Sequence, residues 1–571
     1  MVGELIRLRR AIQSNSPPWK RRLGFTLGLV AAAVTWAAVI VPAPHARADA
    51  LTLCLSAWFL GWMLGPILGN GATVLRPEYF TLMPLAPGRT AFALLASVFA
   101  GTGALVTSIA VSALVLLAIM SGEPASAAVS VLSAVSFVVL LVALSRVVYA
   151  LLGSAMRTVL GVQIAAVSYG ALVAVITVGW LLIVPLIGML PAFLSHGFSS
   201  EAVSHGFRWS PAGWPVAAIE FFAREDTPTA FAAIGALVIS ALVAVVVALL
   251  MLAPRPRPTT VSTARRRIWA ARPWRLLPAS LLGAVVGREL RTWTRDPWRR
   301  LELSLSIWFG IFVALIAAAA GFPQLAVLSG VGLAVMVTLR GTNLYGYDGT
   351  ALWQLVAIGS GEAIRADIRG RQFALALVFG APALVLTTVM AVLTGAINYA
   401  LAAYAGIVVL VAVGAGVALA ASVLWPTPGA DPHRRINASD VGDNPLVYRI
   451  ATWVTFVVAT PTIVLAVFVG LGPGWLPAWS GWALLPLAGA NGAVVYWLLG
   501  SFATHHVTAR LPETLARLRH TATPVSLTAL WHSLRFVLDE RIGADGPDRR
   551  PAGAEGVSML GRETSELDQP L

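Results

Sequence analysis

Long runs without a charged side chain constrain this chain more than any motif does. Gly24 to Val41, Leu51 to Leu68, Ala91 to Met120 and Ala125 to Ser145 are the first four. A charge at the centre of a bilayer costs roughly 2.5 to 3.5 kcal/mol on insertion scales, and a helix needs about 20 residues to cross. Each run therefore reads as a transmembrane helix. Two more follow at about 163 to 187 and at Thr227 to Leu252. Leu303 to Leu339 holds a pair broken at Gly321-Phe-Pro323, and Gln372 to Ala430 holds another. Ile450 to Thr504 holds the last pair, broken at Gly472-Pro-Gly-Trp-Leu-Pro477. With 58% hydrophobic and 12% charged residues, the expectation is an all-α polytopic membrane protein of about twelve spans.

The spans fall into two similar halves. Gly3-Glu-Leu-Ile-Arg-Leu-Arg-Arg and then Pro18-Trp-Lys-Arg-Arg-Leu23 precede the first run. Gly287-Arg-Glu-Leu-Arg-Thr-Trp-Thr-Arg and then Asp296-Pro-Trp-Arg-Arg-Leu301 precede the seventh. A repeated Glu-Leu, alternating arginines and a Pro-Trp-basic cluster predict an amphipathic helix lying along the membrane before each half. Such a helix would turn Arg21 and Arg291 toward lipid phosphates and hold Trp19, Trp293 or Trp298 at headgroup depth, with Glu289 on its polar side.

The predicted units are a first half at 1–253, with the surface helix at 3–23 and spans over 24–252, and a basic linker at 254–300 carrying the second surface helix. A second half at 301–504 and a tail at 505–571 complete the chain. The tail opens with a helix over Arg510 to Phe536 and is expected to be disordered after about 543. Arg21-Arg22 followed by an apolar run and Ala46-Arg-Ala48 imitates a cleaved leader, but the run is as long as a span and has a counterpart at 297 to 320. With the N-terminus inside, only Arg47, Arg208 and Arg224 of the 40 basic residues lie outside, which puts 37 at the cytoplasmic face. That distribution, not nucleic acid, accounts for the net charge of +14.

Chemistry is sparse. Lys20 is the only lysine, between Trp19 and Arg21 with no glycine-rich loop beside it, so the chain carries no phosphate-binding P-loop. Cys54 is the only cysteine, and the expected outer acids, Asp49, Glu123, Glu201, Glu220, Glu225 and Asp226, show no metal-ligand pattern. His433 and the pair His505-His506 read as solvated surface groups. No charged residue falls mid-span, which argues against ion-coupled transport.

Two loops stand out. The one after the second span reads Leu75-Arg-Pro-Glu-Tyr-Phe-Thr-Leu-Met-Pro-Leu-Ala-Pro-Gly-Arg89. The one after the eighth reads Asn343-Leu-Tyr-Gly-Tyr-Asp-Gly-Thr-Ala-Leu-Trp, continuing to Gly359, then Gly361-Glu-Ala-Ile-Arg-Ala-Asp-Ile-Arg-Gly-Arg371. Each joins an acidic and aromatic pair, a short apolar stretch and a turn before a basic residue.

With the Arg-Thr-Trp-Thr-Arg-Asp-Pro-Trp-Arg-Arg stretch at 291 to 300, this organisation resembles the permeases of type-2 ABC exporters, two six-span halves fused in one chain. The resemblance implies an elbow helix before each half and a coupling helix between the second and third spans that docks on a separate ATPase. In the second half it points to Tyr347, Asp348, Trp353, Leu355, Glu362 and Arg365. In the first it points to Arg76, Glu78, Tyr79 and Arg89, where Pro77-Glu78 replaces the Asp-Gly pair. Asp348 would cap the coupling helix, with Ala351, Leu352, Leu355 and Val356 on its apolar face. An outer gate near Trp214 and Trp475 is also implied, from Pro211-Ala-Gly-Trp-Pro215 and Pro473-Gly-Trp-Leu-Pro477.

The expected protein is then a multi-pass permease of a bacterial plasma membrane with both termini cytoplasmic. It would export a hydrophobic or amphiphilic substrate, with no cofactor or catalysis of its own. ATP and Mg would be bound by an ABC ATPase subunit in two copies, and membrane lipids would surround it. The alternatives are a twelve-span secondary transporter of the major-facilitator type and a membrane lipid-modifying enzyme.

Overall fold

A computed structural model describes residues 2–14, 18–68, 80, 85–122, 124–155, 159–253, 277–429, 442, 444–470 and 480–520. Among these there is no strand. The apolar runs are helices because only a helix satisfies every backbone N–H and C=O within one segment in a medium without water. The chain is a multi-pass membrane protein, with twelve helices among the described residues long and apolar enough to cross a bilayer.

The first half comprises α1 (Val2–Ser14), α2 (Pro18–Ile40), α3 (Arg47–Leu68), α4 (Pro87–Phe99), α5 (Thr102–Val111), α6 (Ala113–Ser121), α7 (Pro124–Ala155), α8 (Val159–Val178), α9 (Ile183–His196), α10 (Glu201–Arg208), α11 (Trp214–Ala223) and α12 (Thr227–Leu252). Counting spans alternately from α2 defines two ends, a base carrying α1 and an apex carrying α10 and α11.

The second half comprises α13 (Leu281–Arg295), α14 (Pro297–Ala319), α15 (Pro323–Val327), α16 (Ser329–Gly341), α17 (Leu344–Asp348), α18 (Trp353–Ile358), α19 (Gly361–Thr394), α20 (Ala400–Leu424), α21 (Pro445–Gly470) and α22 (Ser480–His520). Arg510 leaves helical geometry inside α22, at φ −134° and ψ 23°, two residues before Pro512. The following turn, Leu511, Leu515 and Leu518, packs on the second-half core.

The same packing scheme recurs. In each half the first span meets the second and third (α2 with α3 and α5; α14 with α16 and α19), and the fourth meets the sixth (α7 with α12; α20 with α22). The surface helix meets the third span (α1 with α4; α13 with α19). Two cores result, one around Leu51, Leu114, Phe137 and Leu141, the other around Leu333, Tyr345, Phe379 and Leu419.

Three boundaries differ from expectation. The elbow expected over 3–23 ends at Ser14, and Pro18 opens the first span instead, as Pro297 opens the seventh. Proline suits the first helical position because its missing N–H has no partner there anyway. Asp296 caps α14, accepting from the Trp298 and Arg299 N–H groups at 2.8 and 3.0 Å. The third span is not one helix but α4, α5 and α6, interrupted at Ala100-Gly101 and at Ser112. The fifth continues past 187 through a 3-10 turn at Gly179–Leu182 into α9, whose residues are all outside the core.

The halves meet along α8 and α14. Val162, Ala165 and Ala166 pack on Leu301 and Leu305, and Gln163 Nε2 donates to Ser304 Oγ at 2.9 Å. A Cβ at Gly170 would lie 2.8 Å from the Phe309 nitrogen, so glycine is what lets the two backbones approach. Val173 and Ala174 of α8 belong to the second-half core, so the fifth span sides with the half it does not belong to in sequence.

Candidate functional site

Four elements at the base of the second half converge on one charged cluster. Amphipathic α13 buries Val286, Glu289, Leu290 and Trp293 at three- and four-residue spacing against α19. That periodicity carries one acid inward. Asp296 turns the chain into α14, placing Arg299 within its first turn and a half, while α17 and the base of α19 bring Asp348, Asp367 and Arg371.

The arginines bridge the acids. Arg299 donates to Glu289 Oε2 at 2.7 Å and to Asp348 Oδ1 at 3.0 Å. Arg371 donates from Nε to Asp367 Oδ2 at 2.8 Å and from Nη2 to Asp348 Oδ2 at 2.5 Å, and its Nη1 lies 3.5 Å from Glu289 Oε1. Arg288 reaches Asp367 at 2.9 Å and Glu289 at 3.0 Å. Three positive and three negative groups thus cancel. Alongside, Tyr347 donates to Glu302, which lies 3.8 Å from Arg340.

Glu289, Arg299 and Arg371 are each 2% exposed. Taking an ion out of water costs several kcal/mol, and only well-placed partners offset it. Burial alone would raise the Glu289 pKa, but Arg371, Arg299 and Arg288 outweigh it and hold the carboxyl at about 2. Burial and the nearby Asp367 carboxylate push the Tyr345 phenol well above its ordinary value, so it stays a donor, 2.9 Å from Asp367 Oδ2. Aromatic faces complete the shell: the Arg371 guanidinium lies 4.8 Å from the Tyr345 ring centre, and Arg299 5.6 Å from Trp293 and 5.4 Å from Tyr347.

Glu289, Asp348 and Asp367 are each engaged by at least two arginines. Among the described residues no group of His, Cys, Asp or Glu is arranged to hold a metal ion. The cluster's capacity is mechanical: it fastens the surface helix, the seventh span, the segment after the eighth and the ninth span into one block.

That segment differs in detail from the expectation. Asp348 does not cap the following helix; it ends α17 with its carboxylate in the cluster, and a 3-10 turn over Gly349–Leu352 leads into α18. Leu352 is buried and Leu355 and Val356 pack on the second-half core, so the expected outward face is largely turned inward. Ala351, Trp353 and Ile358 are exposed, as are Glu362 and Arg365 in the first turns of α19. Trp293 does not face outward either. It is 1% exposed, edge-on to Phe379 at 5.3 Å, while Trp298 packs in the α8 and α14 seam. Arg291 is exposed as expected.

In the first half, Glu4 pairs with Arg7 at 3.0 Å on the surface, and Trp19 and Arg89 are exposed. Arg76, Glu78 and Tyr79 lie outside the described residues, as do Trp475 and the side chain of Arg21. At the apex, half-buried Trp214 opens α11 and donates its indole N–H to the Trp209 carbonyl at 3.0 Å. The apex helices are tied to α3 by Asp49, which accepts from Phe198 N at 3.1 Å, Ser204 Oγ at 2.8 Å and Arg208 at 3.4 Å. Gly197, at φ +76°, makes room: a Cβ there would sit 2.5 Å from the Asp49 carboxylate.

The sequence reading singled out Glu289 and Asp348 but not Arg288, Arg299, Asp367 or Arg371. The available signal was the density of charge just before an apolar run, five ionisable groups between Glu362 and Arg371. Comparisons with protein-family models, with curated proteins and with solved structures gave no match.

Proposed function

We propose that this chain is the membrane subunit of an ATP-driven exporter of amphiphilic molecules, energised by a separate pair of ATPase subunits at its base. The observation that carries the reading is the attachment of Asp348 to Arg299 and Arg371. A partner pressing on the exposed Trp353, Ile358, Glu362 and Arg365 would load a segment already bound to two spans and a surface helix. A rigid block with an exposed apolar and charged rim is what transfer of motion between two proteins needs. The arginine distribution supports a cytoplasmic base with both termini inside, and the charge-poor seam between halves suits an amphiphile better than an ion.

Purification from the native membrane tests this directly. An ATPase should accompany the intact chain, and Trp353→Glu with Ile358→Glu should release it without disturbing insertion, since both side chains point away from the core. An intact chain that purifies without any ATPase, or catalyses a lipid modification alone, would overturn the reading.

A further inference from the structure

The internal repeat predicts two seams between halves, and the described residues show one. Where α8 packs on α14, the contacts on the first span of the second half are Leu301, Ser304, Leu305 and Trp308. Aligning Leu23 with Leu301 places Thr26, Leu27 and Val30 of α2 at the positions of Ser304, Leu305 and Trp308. All four α2 positions are exposed. The fifth span of the second half, α21, stays on α16, α20 and α22 of its own half and exposes an apolar stripe, Trp453, Val457, Val464 and Phe468. These are the two helices whose counterparts pair elsewhere in the same chain. Their sizes are complementary in the opposite sense: α8 offers alanine and glycine to a bulky α14, whereas α21 offers bulky side chains to a face of α2 bordered by the exposed Gly24 and Ala31.

We propose that α2 and α21 of one chain close on each other as a second seam, and that this seam is the one that opens while α8 and α14 stay shut. The α8 and α14 contact has a side-chain hydrogen bond and a backbone approach that a single methyl group at Gly170 would block, so parting it costs specific interactions. The α2 and α21 stripes contain only apolar groups and Thr26, whose hydroxyl is occupied by the carbonyls of Arg22 and Leu23, so they part into lipid without orphaning a polar group. An amphiphile would then reach the space between the halves sideways from the bilayer, through this seam alone. That last step rests on the export reading; the closure does not.

Disulfide trapping in membranes tests the closure without any transport assay. Val30 is the thirteenth residue of α2 and Val457 the thirteenth of α21, and both helices start at the base, so the two lie at equal depth. In a Cys54→Ser background with a protease site inserted between 254 and 276, Val30→Cys with Val457→Cys should join under a copper oxidant. After cleavage the two fragments should stay linked until reduced. Leu27→Cys with Trp453→Cys provides a second pair one turn lower. Gln163→Cys with Ser304→Cys reports the seam already closed and should join at least tenfold faster. A band of twice the chain's mass would show that a second copy covers the stripe and would overturn the proposal. So would absence of any α2 to α21 link, or equal rates at the two seams. Failure of the Gln163 and Ser304 pair would remove the contact from which the inference is drawn, and the inference with it.

Discussion

The two junctions at the base share an architecture and differ in chemistry. In both, a surface helix packs on the third span and a proline opens the first. In the second half the junction encloses six charges that cancel, three of them 2% exposed. In the first half, among the described residues, the acid at the matching Glu-Leu position, Glu4, pairs with Arg7, with both side chains more than two-thirds exposed. Among the described residues, repetition of backbone packing does not carry the charge network with it. An ion pair in water contributes little, whereas one buried with its hydrogen bonds intact becomes costly to break. The second junction is accordingly a fixed block, whereas the described residues of the first show one exposed pair.

The largest contrast should come from removing one arginine. Arg371→Met leaves the buried Asp367 and Glu289 and the partly buried Asp348 with too little positive charge, which should cost about 3 to 5 kcal/mol. A large drop in the thermal midpoint of the detergent-solubilised protein would show it. Arg89→Met, at the exposed base of α4, should leave the midpoint within error. Equal effects would remove the distinction between the junctions.

Next in size is Gly170→Val, which forces side-chain atoms against the backbone of α14 and should cost about 1 to 3 kcal/mol. Halves expressed as separate fragments should then co-purify poorly, while Gly235→Val, with open space around it, should leave their association intact.

Acid should weaken the second junction. Glu289 is held at about 2 against an ordinary carboxyl value near 4.5, so its contribution is fully present above pH 4.5 and disappears as pH falls from there toward 2. Glu289→Gln should flatten the pH dependence of stability in that window. Glu4→Gln, on the surface, should leave it unchanged.

The spans were legible because a charge-free run of about 20 residues has one stable environment, and Gly24 to Val41 or Thr227 to Leu252 fit it without competition. Helix ends were less so. Pro18 and Pro297 carried a usable signal, the preference of proline for a first helical turn, but the flanking arginines read more naturally as part of the surface helix. Breaks at Gly101 and Ser112 left no pattern, since neither residue interrupts an apolar run. The cluster itself was illegible for a different reason. Glu289, Arg299, Asp348 and Arg371 are separated by up to 82 positions, and only the convergence of α13, α14, α17 and α19 brings them together. Period alone says that Glu289 shares a face with Val286 and Trp293; it does not say that arginines wait there.

The central claim is that Asp348 binds the segment after the eighth span to the ninth span through Arg371. A double-mutant cycle measures that bond most directly: Asp348→Leu, Arg371→Met and the pair, each followed by unfolding in detergent at neutral pH. The account predicts that the double variant is more stable than the sum of the single losses implies, with a coupling energy of about 2 kcal/mol or more, because removing both partners leaves fewer stranded charges than removing one. Additive losses, with coupling within about 0.5 kcal/mol, would mean that the pair transmits nothing and would contradict the block as described.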